Sequence, residues 1–367
     1  MLKVGIVGCG KIADAHASQM MRVRGCEIVG VCDREPLMAS QLADRFPVKQ
    51  RFTDVREMLS IARPQVVHIT TSPESHFEIA RLSLEHGAHV YVEKPFTLYF
   101  DQARELVELA NDRGLRLTVG HNDQFSPVSR RMRKLVSTGY LGGAPVHMES
   151  HYCYDLGDPS YARALLGDKQ HWVRRLPGQL LQNVISHGIA RIAEFLGTDS
   201  PRVIAHGFTS PLLKSIGENE IVDELRVIIN DDERTTAYFT FSSQMRPSIH
   251  EFRVYGPKNG LILDHDHDIL IRLRGEKLKS YADKFIPPVE FARQHLQNLR
   301  TNIHFFLKRD FHMDSGMKHL IEDFYRSIRE GTPLPISYRE ILLTAKIMDS
   351  IFDQVRESRA GSQLAVR

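Results

Sequence analysis

A lysine stands in the run Glu93-Lys94-Pro95, directly after the apolar Val90-Tyr91-Val92 and about 85 residues downstream of the glycine-rich turn Gly8-Cys9-Gly10-Lys11-Ile12-Ala13. A strand-end amine beside a bound nicotinamide can hydrogen-bond a reacting oxygen and stabilise charge as it develops. Glu93 could hold that lysine in place, and Pro95 could fix the backbone, a cis bond being one way to do so. The glycine turn is the means of binding the dinucleotide. Gly8 permits a tight turn, Gly10 lets the backbone approach a pyrophosphate, and Ala13 takes the third small position, where helix and strand pack closely. The pyrophosphate would sit where a helix opens at Lys11 and Ile12, because unpaired N–H groups and the helix dipole favour anions there.

Other residues fill out this half. Asp33 closes the second apolar run, Glu27 to Cys32. A carboxylate there hydrogen-bonds the adenosine ribose and repels a 2′-phosphate, which favours NAD. Arg34, next to it, could instead attract a 2′-phosphate or be a solvated surface arginine. Thr71-Ser72-Pro73 follows a later strand and could line the nicotinamide ribose. His76, counted with the same cofactor loop, opens the next helix and reads as a residue that packs on that loop rather than one that does chemistry.

Further along, Asn183 and His187 lie four apart on a predicted helix and so share a face. Arg174 and Arg175 precede that helix; they could bind a diphosphate or a carboxylate, or be two exposed loop arginines. Trp172 and Tyr161 belong to a long segment that could cover a substrate. Asp264-His265-Asp266-His267-Asp268 invites a metal reading, but its place after a Gly260 turn and before a strand favours a solvated hairpin tip, and no metal is expected.

The elements that must position these residues alternate through the first 122 positions. Strands at 4–7, 27–32, 65–70, 90–92 and 115–119 are separated by helical patterns at 12–23, 36–46, 74–86 and 101–113. Repeated β-α units imply a parallel, doubly wound sheet with ligands at the carboxyl ends of its strands. The pattern then changes. A helix at 127–137 is followed by alternating strands at 146–153, 235–243, 249–256 and 269–273, and by helices at 289–308, 315–330 and 338–355. The fold class is α/β: a Rossmann domain over 1–122 and an α+β domain over 123–367 with a mostly antiparallel, open sheet. The helix at 338–355 could pack back on the first domain.

A chain of 367 residues accommodates two such domains. Lys plus Arg number 48 against 45 Asp plus Glu, no signature of nucleic-acid binding. Cys9, Cys26, Cys32 and Cys153 form no CxxC pair. With no apolar run long enough to span a bilayer and a first strand starting at Lys3, the expected setting is cytoplasmic.

The stretches Val4 to Ala13, Thr71-Ser72-Pro73-x-x-His76, Gly87 to Pro95 and Gly120-His121-Asn122 carry a resemblance. In them the chain resembles the glucose–fructose oxidoreductase / inositol dehydrogenase (Gfo/Idh/MocA) family. The second domain matches more sparsely, at Pro177-Gly178 through Gly197 and at the turn Gly256 to Gly260. The resemblance implies an NAD(P)-binding Rossmann domain, with Asn122 at the domain junction, and an α/β domain whose open sheet supports homo-oligomers, dimers or tetramers. It also implies hydride transfer at a carbinol or carbonyl of a sugar, cyclitol or nucleotide-sugar. His187 matches the family's general acid/base, a role suited to an imidazole, and Lys94, Asn183 and His187 would face the substrate together. The chain departs from the family pattern in three places. Asn183 and Ala190 stand where aspartates are common, and Gln124 replaces a frequent arginine. Asparagine can orient an imidazole but brings no charge. Two rival readings follow: a nucleotide-binding regulatory protein whose relay has decayed, or an epimerase or eliminase that retains NAD.

The stretch from Phe291 to Arg309 reads as an insertion relative to the family core. It carries Arg293, Arg300, Lys308 and Arg309, no acidic residue, and one apolar stripe of Leu296, Leu299, Ile303, Phe306 and Leu307. Packing within the assembly is expected, with Leu299 and Phe306 buried; contact with an anionic membrane is the alternative.

Overall fold

The structure is a computed structural model that describes residues 1–155, 167–231, 234–276, 278–279, 281–308 and 315–364. Tyr161 and Arg309 lie outside the described residues. Two compact units emerge, Met1–Asn122 with Gly316–Lys346, and Asp123–Ser315 with Ile347–Arg367.

In the first unit, β1 (Leu2–Val7), β2 (Cys26–Cys32), β3 (Arg51–Phe52), β4 (Val66–Ile69), β5 (His89–Val92) and β6 (Leu117–Val119) form one sheet in the order β3-β2-β1-β4-β5-β6. Every pair is parallel. Helices α1 (Lys11–Met20), α2 (Pro36–Arg45), α3 (Val55–Ile61), α4 (His76–Glu85) and α5 (Phe100–Asp112) make the crossovers. With both faces covered, the strands read as apolar runs rather than alternations; Val4, Ile6, Val66, Val67, Val90 and Val92 are fully buried. Burying each such side chain stabilises the fold by roughly 1.5–3 kcal/mol. The strand order reverses between β1 and β4, which opens a crevice at the carboxyl ends of the strands. There lie Gly8, Asp33, Thr70 and Glu93, each following a strand. The two-residue β3 was too short to show a period. Asp54 caps α3 by accepting the Glu57 N–H at 3.0 Å.

In the second unit are α6 (Pro127–Ser137), β7 (His147–Tyr152), α7 (Trp172–Arg175), α8 (Gln179–Val184), α9 (Ser186–Ala193), β8 (Arg202–Phe208), α10 (Pro211–Ser215), β9 (Glu224–Asp231), β10 (Thr235–Ser242), β11 (His250–Tyr255), β12 (Asn259–Asp264), β13 (Ile269–Arg274) and α11 (Ala282–Leu307). The strands form a seven-stranded sheet in the order β13-β12-β11-β7-β10-β9-β8. Only β7 and β10 run parallel; the other neighbours are antiparallel. Along β10, Ala237, Phe239 and Phe241 are buried while Tyr238 between them is 49% exposed, so one face of the sheet carries the core. Asn259 and Gly260, expected in a turn, instead start β12.

The expected second domain, 123–367, gives up Gly316–Lys346 to the first unit. There α12 (Ser315–Glu330) buries Met317, Leu320, Ile321, Phe324 and Tyr325. An apolar helical stripe reads the same whichever sheet it covers, so its period could not assign it. The last helix, α13 (Tyr338–Leu364), divides between the units at Lys346. Its Tyr338 hydroxyl accepts the Leu117 N–H at 3.2 Å within the first unit. Gln354 bonds Ala205 N–H at 3.0 Å and Val203 O at 3.0 Å within the second. Among the described residues no helix is long and apolar enough to cross a membrane.

Candidate functional site

The crevice of the first unit is a cleft of about 460 Å³ lined by Val7, Gly8, Gly10, Asp33, Arg34, Thr70, Thr71 and Ser72, among others. Gly8 has φ +91°, and a Cβ there would lie 2.7 Å from Thr71 N. Only glycine lets β1 turn this close to the end of β4. A Cβ on Gly10 would meet nothing within 4 Å, so open space lies beside it. Gly10 caps α1 with no side-chain acceptor for the first helical N–H groups, the arrangement that suits a pyrophosphate. Lys11 and Ile12 are exposed at that helix end. The Asp33 carboxylate accepts the Cys9 N–H at 2.7 Å and the Glu35 N–H at 2.9 Å, which aims it at the cleft; Arg34 beside it is exposed. These residues fit a dinucleotide.

His76 does not line the cleft. It is fully buried, with Nδ1 2.9 Å from Pro95 O and Nε2 3.1 Å from Thr71 O. Burial lowers its pKa despite the contrary pull of those carbonyls. It ties the loop after β4 to the loop after β5, as its packing role suggested, and its place among the cofactor contacts is corrected. Pro73 is buried as well, whereas Thr71 is half-buried and Ser72 exposed.

Lys94 follows β5, the strand next to β4 in the sheet, and the Lys94-Pro95 bond is cis. Glu93 accepts the Lys94 N–H at 3.2 Å. Its other oxygen lies 2.8 Å from His16 Nε2; His16 Nδ1 lies 2.8 Å from His68 Nδ1; His68 Nε2 lies 2.9 Å from the Tyr325 hydroxyl. Burial, then the neighbouring His16, holds the His68 pKa well below its ordinary value. Burial first raises that of Tyr325 well above its own. Neutral imidazoles each have one donor. One assignment that satisfies every contact, with Glu93 ionised and both imidazoles neutral, runs the donors from Tyr325 through His68 and His16 to the carboxylate. His68 stacks on Tyr91 at 4.5 Å, and the Tyr91 hydroxyl donates to Asn122 Oδ1 at 2.9 Å. Tyr325→Phe removes one donor and leaves a buried imidazole nitrogen unmatched. The expected loss is about 1–3 kcal/mol, read from urea unfolding of wild type and variant; equal midpoints would show that the hydroxyl contributes nothing.

The second unit holds another constellation. Helix α9 lies against β7 and β10: a Cβ on Gly188 would fall 2.5 Å from the Phe239 ring and 3.1 Å from Tyr152 Cβ. Ser150 donates to Gly188 O at 3.0 Å. This contact fixes His187, whose ring stacks on Tyr152 at 5.8 Å. Asp123 stands beside it, with Oδ2 3.8 Å from His187 Nδ1, an ion-pair separation longer than a hydrogen bond. The Tyr152 hydroxyl donates to Asp123 Oδ2 at 3.0 Å; His265 Nε2 lies 3.5 Å from Oδ1 and Arg191 Nη2 3.9 Å from Oδ2. Burial alone would raise the Asp123 pKa, but His187, then His265 and Arg191, hold it well below the usual carboxylate range.

Asp123 and His265 were missed from the sequence. Asp123 directly follows the Gly120-His121-Asn122 match, a signal that could have found it. The place of His265 after the Gly260 turn suggests a solvated hairpin tip. It does follow β12, but its N–H bonds His250 O at 2.9 Å, and His250 pairs with Tyr152 across β11 and β7. Sheet order thus carries it to Asp123. Among the described residues no group of three or more His, Cys, Asp or Glu could hold a metal ion.

Two further expectations need correction. Asn183 and His187 do not lie on one unbroken helix: α8 ends at Val184 and α9 starts at Ser186, with Ile185 between them in the αR region. Asn183 is half-buried. Arg174 is not an exposed loop arginine; on the short α7 it donates to Glu218 at 2.8 Å with 7% of its side chain exposed. Its charge is matched internally, which argues against its binding a substrate anion. Arg175 is exposed and donates to Gln170 O at 3.1 Å. Gln124 donates to Glu194 at 3.0 Å, where Arg133 also bonds at 2.5 Å.

A parallel sheet in this order, a glycine turn at its switch point and a strand-end carboxylate define a dinucleotide-binding Rossmann unit joined to a mixed-sheet unit. Residues 2–121 match the family model described as "Oxidoreductase family, NAD-binding Rossmann fold", which agrees with the resemblance of that part of the chain to the Gfo/Idh/MocA family. It is 33% identical over 142 residues to the D-glucoside 3-dehydrogenase of Escherichia coli, covering 38% of this chain and 40% of that protein. To the inositol 2-dehydrogenase of Burkholderia multivorans it is 28% identical over 144 residues, covering 38% and 43%. The matched segments thus span less than half the length of these curated relatives. The solved UDP-N-acetylglucosamine 3-dehydrogenase of Acidithiobacillus ferrooxidans is 19% identical, with a TM-score of 0.71 over 96% of this chain and 97% of that one; this likeness concerns the fold.

Proposed function

We propose that the chain is an NAD(P)-dependent oxidoreductase, with NAD preferred, that moves a hydride between nicotinamide and a carbinol or carbonyl carbon of a sugar, cyclitol or nucleotide-sugar. The observation that carries this reading is Lys94 at the carboxyl end of β5, in the sheet whose switch point forms the Gly8–Asp33 cleft. NAD, when bound, supplies the hydride acceptor or donor. Gly8, Gly10 and the opening of α1 at Lys11 and Ile12 hold the pyrophosphate, Asp33 the adenosine ribose, and Thr71 and Ser72 the nicotinamide ribose. Lys94 donates a hydrogen bond to the reacting oxygen. His187 takes the hydroxyl proton in oxidation and returns it in reduction, while Asp123 stabilises the imidazolium. Asn183 contacts the substrate without charge. Names of relatives support this substrate class: one acts on D-glucosides, one on inositol.

Asp123, 3.8 Å from His187, weighs against the regulatory reading, whose motive was the missing carboxylates at Asn183 and Ala190. A homo-oligomer and a cytoplasmic setting belong to the same proposal.

Asp33→Ala tests the cofactor choice. Wild type binds NAD(H) more tightly than NADP(H) in fluorescence titration, and the variant narrows the gap because the carboxylate that repels a 2′-phosphate is gone. Equal or stronger NADP(H) binding by wild type would mean that Arg34 governs the pocket.

A further inference from the structure

Helix α11 is built the reverse of an ordinary surface helix. Its inner side carries amides four residues apart, and they bond the backbone at the sheet's edge strand. Gln294 accepts the Arg272 N–H at 2.7 Å and donates to Arg272 O at 3.1 Å. Asn298 does the same with Leu270, at 3.3 and 3.0 Å. Asn302 donates to His267 O at 3.1 Å. β13 is an edge strand, and the amides satisfy backbone groups that an edge leaves open. The apolar stripe is consequently turned away from the sheet. The chain's own domain does not supply the burial expected for Leu299 and Phe306: they are 56% and 68% exposed, and Phe285, Val289, Leu296 and Ile303 are exposed with them.

At about 100° per residue these six side chains fall within one narrow arc of the helix. Exposed Arg293, Arg300 and His304 border it on one side, and exposed Lys284 and His295 on the other. The two acidic residues of α11, Asp283 and Glu290, lie off the stripe, and Glu290 is paired with Arg274 at 3.1 Å. Charge separates the possible occupants. A second copy laid stripe to stripe would bring basic borders against basic borders. An anionic headgroup layer would match both borders while its acyl boundary took the stripe.

We propose that α11 is an interfacial helix that seats the second unit on an anionic lipid surface, lying in the plane of the interface rather than crossing it. This goes beyond the hydride-transfer reading and does not depend on it.

The test is flotation of the full chain with vesicles of phosphatidylcholine alone or mixed with phosphatidylglycerol, together with sedimentation equilibrium. Wild type floats with the mixed vesicles and not with phosphatidylcholine alone. Leu299→Asp weakens that binding about tenfold or more, as does the double variant Arg293→Glu/Arg300→Glu. Because these residues are exposed, both variants keep the wild-type melting temperature, mass and NAD affinity; the charge variant serves alone if Leu299→Asp does not fold. Failure of wild type to bind the mixed vesicles overturns the proposal, and so does binding that neither variant weakens. A fall in mass for Leu299→Asp also overturns it, by identifying a second copy as the occupant.

Discussion

Lys94→Ala and His187→Ala each lower kcat by roughly 10²–10⁴-fold, the usual cost of removing a positioned acid or base, while NAD affinity stays within a few-fold of wild type. The reason is position. Lys94 follows β5, whereas the lining of the cleft is drawn mostly from the ends of β1, β2, β3 and β4. His187 sits on α9 against β7 and β10, outside the sheet that forms the cleft. Steady-state kinetics with an accepted substrate, set beside NAD titration, separate the two quantities. Normal turnover by either variant would remove that residue from the mechanism. A parallel loss of NAD affinity would make it a cofactor contact instead.

Asp123→Asn is the second large effect. The amide can keep the hydrogen bond from Tyr152 but has no charge to offer His187, His265 or Arg191. Loss of a charge that stabilises a developing imidazolium in a sheltered site costs about 10²–10³-fold in turnover. The pH–rate profile should shift to lower pH as the imidazolium loses its partner. Stability carries an independent signature. The pKa of the Asp123 carboxyl is depressed in the folded chain. Its contribution is therefore complete above the unfolded aspartate value of about 3.9 and is lost as pH falls through the lower native value. Wild type should exceed Asp123→Asn in urea unfolding at neutral pH, and the difference should close in strong acid. A difference that is the same at both pH values would mean that packing, rather than charge, distinguishes the two chains.

Much of the first unit was legible because its determinants are local. Gly8 turns the chain, Asp33 closes a strand, and Lys94 follows the next apolar run but one; each depends on residues within a few positions. Helix α6 begins and ends where its Pro127 and apolar spacing put it. The second constellation was only half legible. His187 stood out by family match, but its carboxylate partner comes from Asp123, and His265 reaches that carboxylate only because β11 lies between β12 and β7. Sheet order of this kind leaves no mark in a single strand. Helix α11 shows a different limit. Its period was read correctly, but a stripe says which residues share a face and not what lies opposite. Here the neighbour was a strand edge that needed amides, so the apolar side turned outward. Arg174 was misread for a related reason, since Glu218, its partner, is distant in sequence.

The central claim is hydride transfer at a carbon bearing oxygen. Absorbance in the reduced-nicotinamide band, followed while the protein and NAD meet a panel of glucosides, cyclitols and nucleotide-sugars, tests it most directly. The account predicts NADH accumulation with at least one member of the panel, dependent on Lys94 and His187. Tight NAD binding with no reduction by any member, while one of them is epimerised or undergoes elimination, would contradict it and leave the cofactor-retaining chemistry in its place.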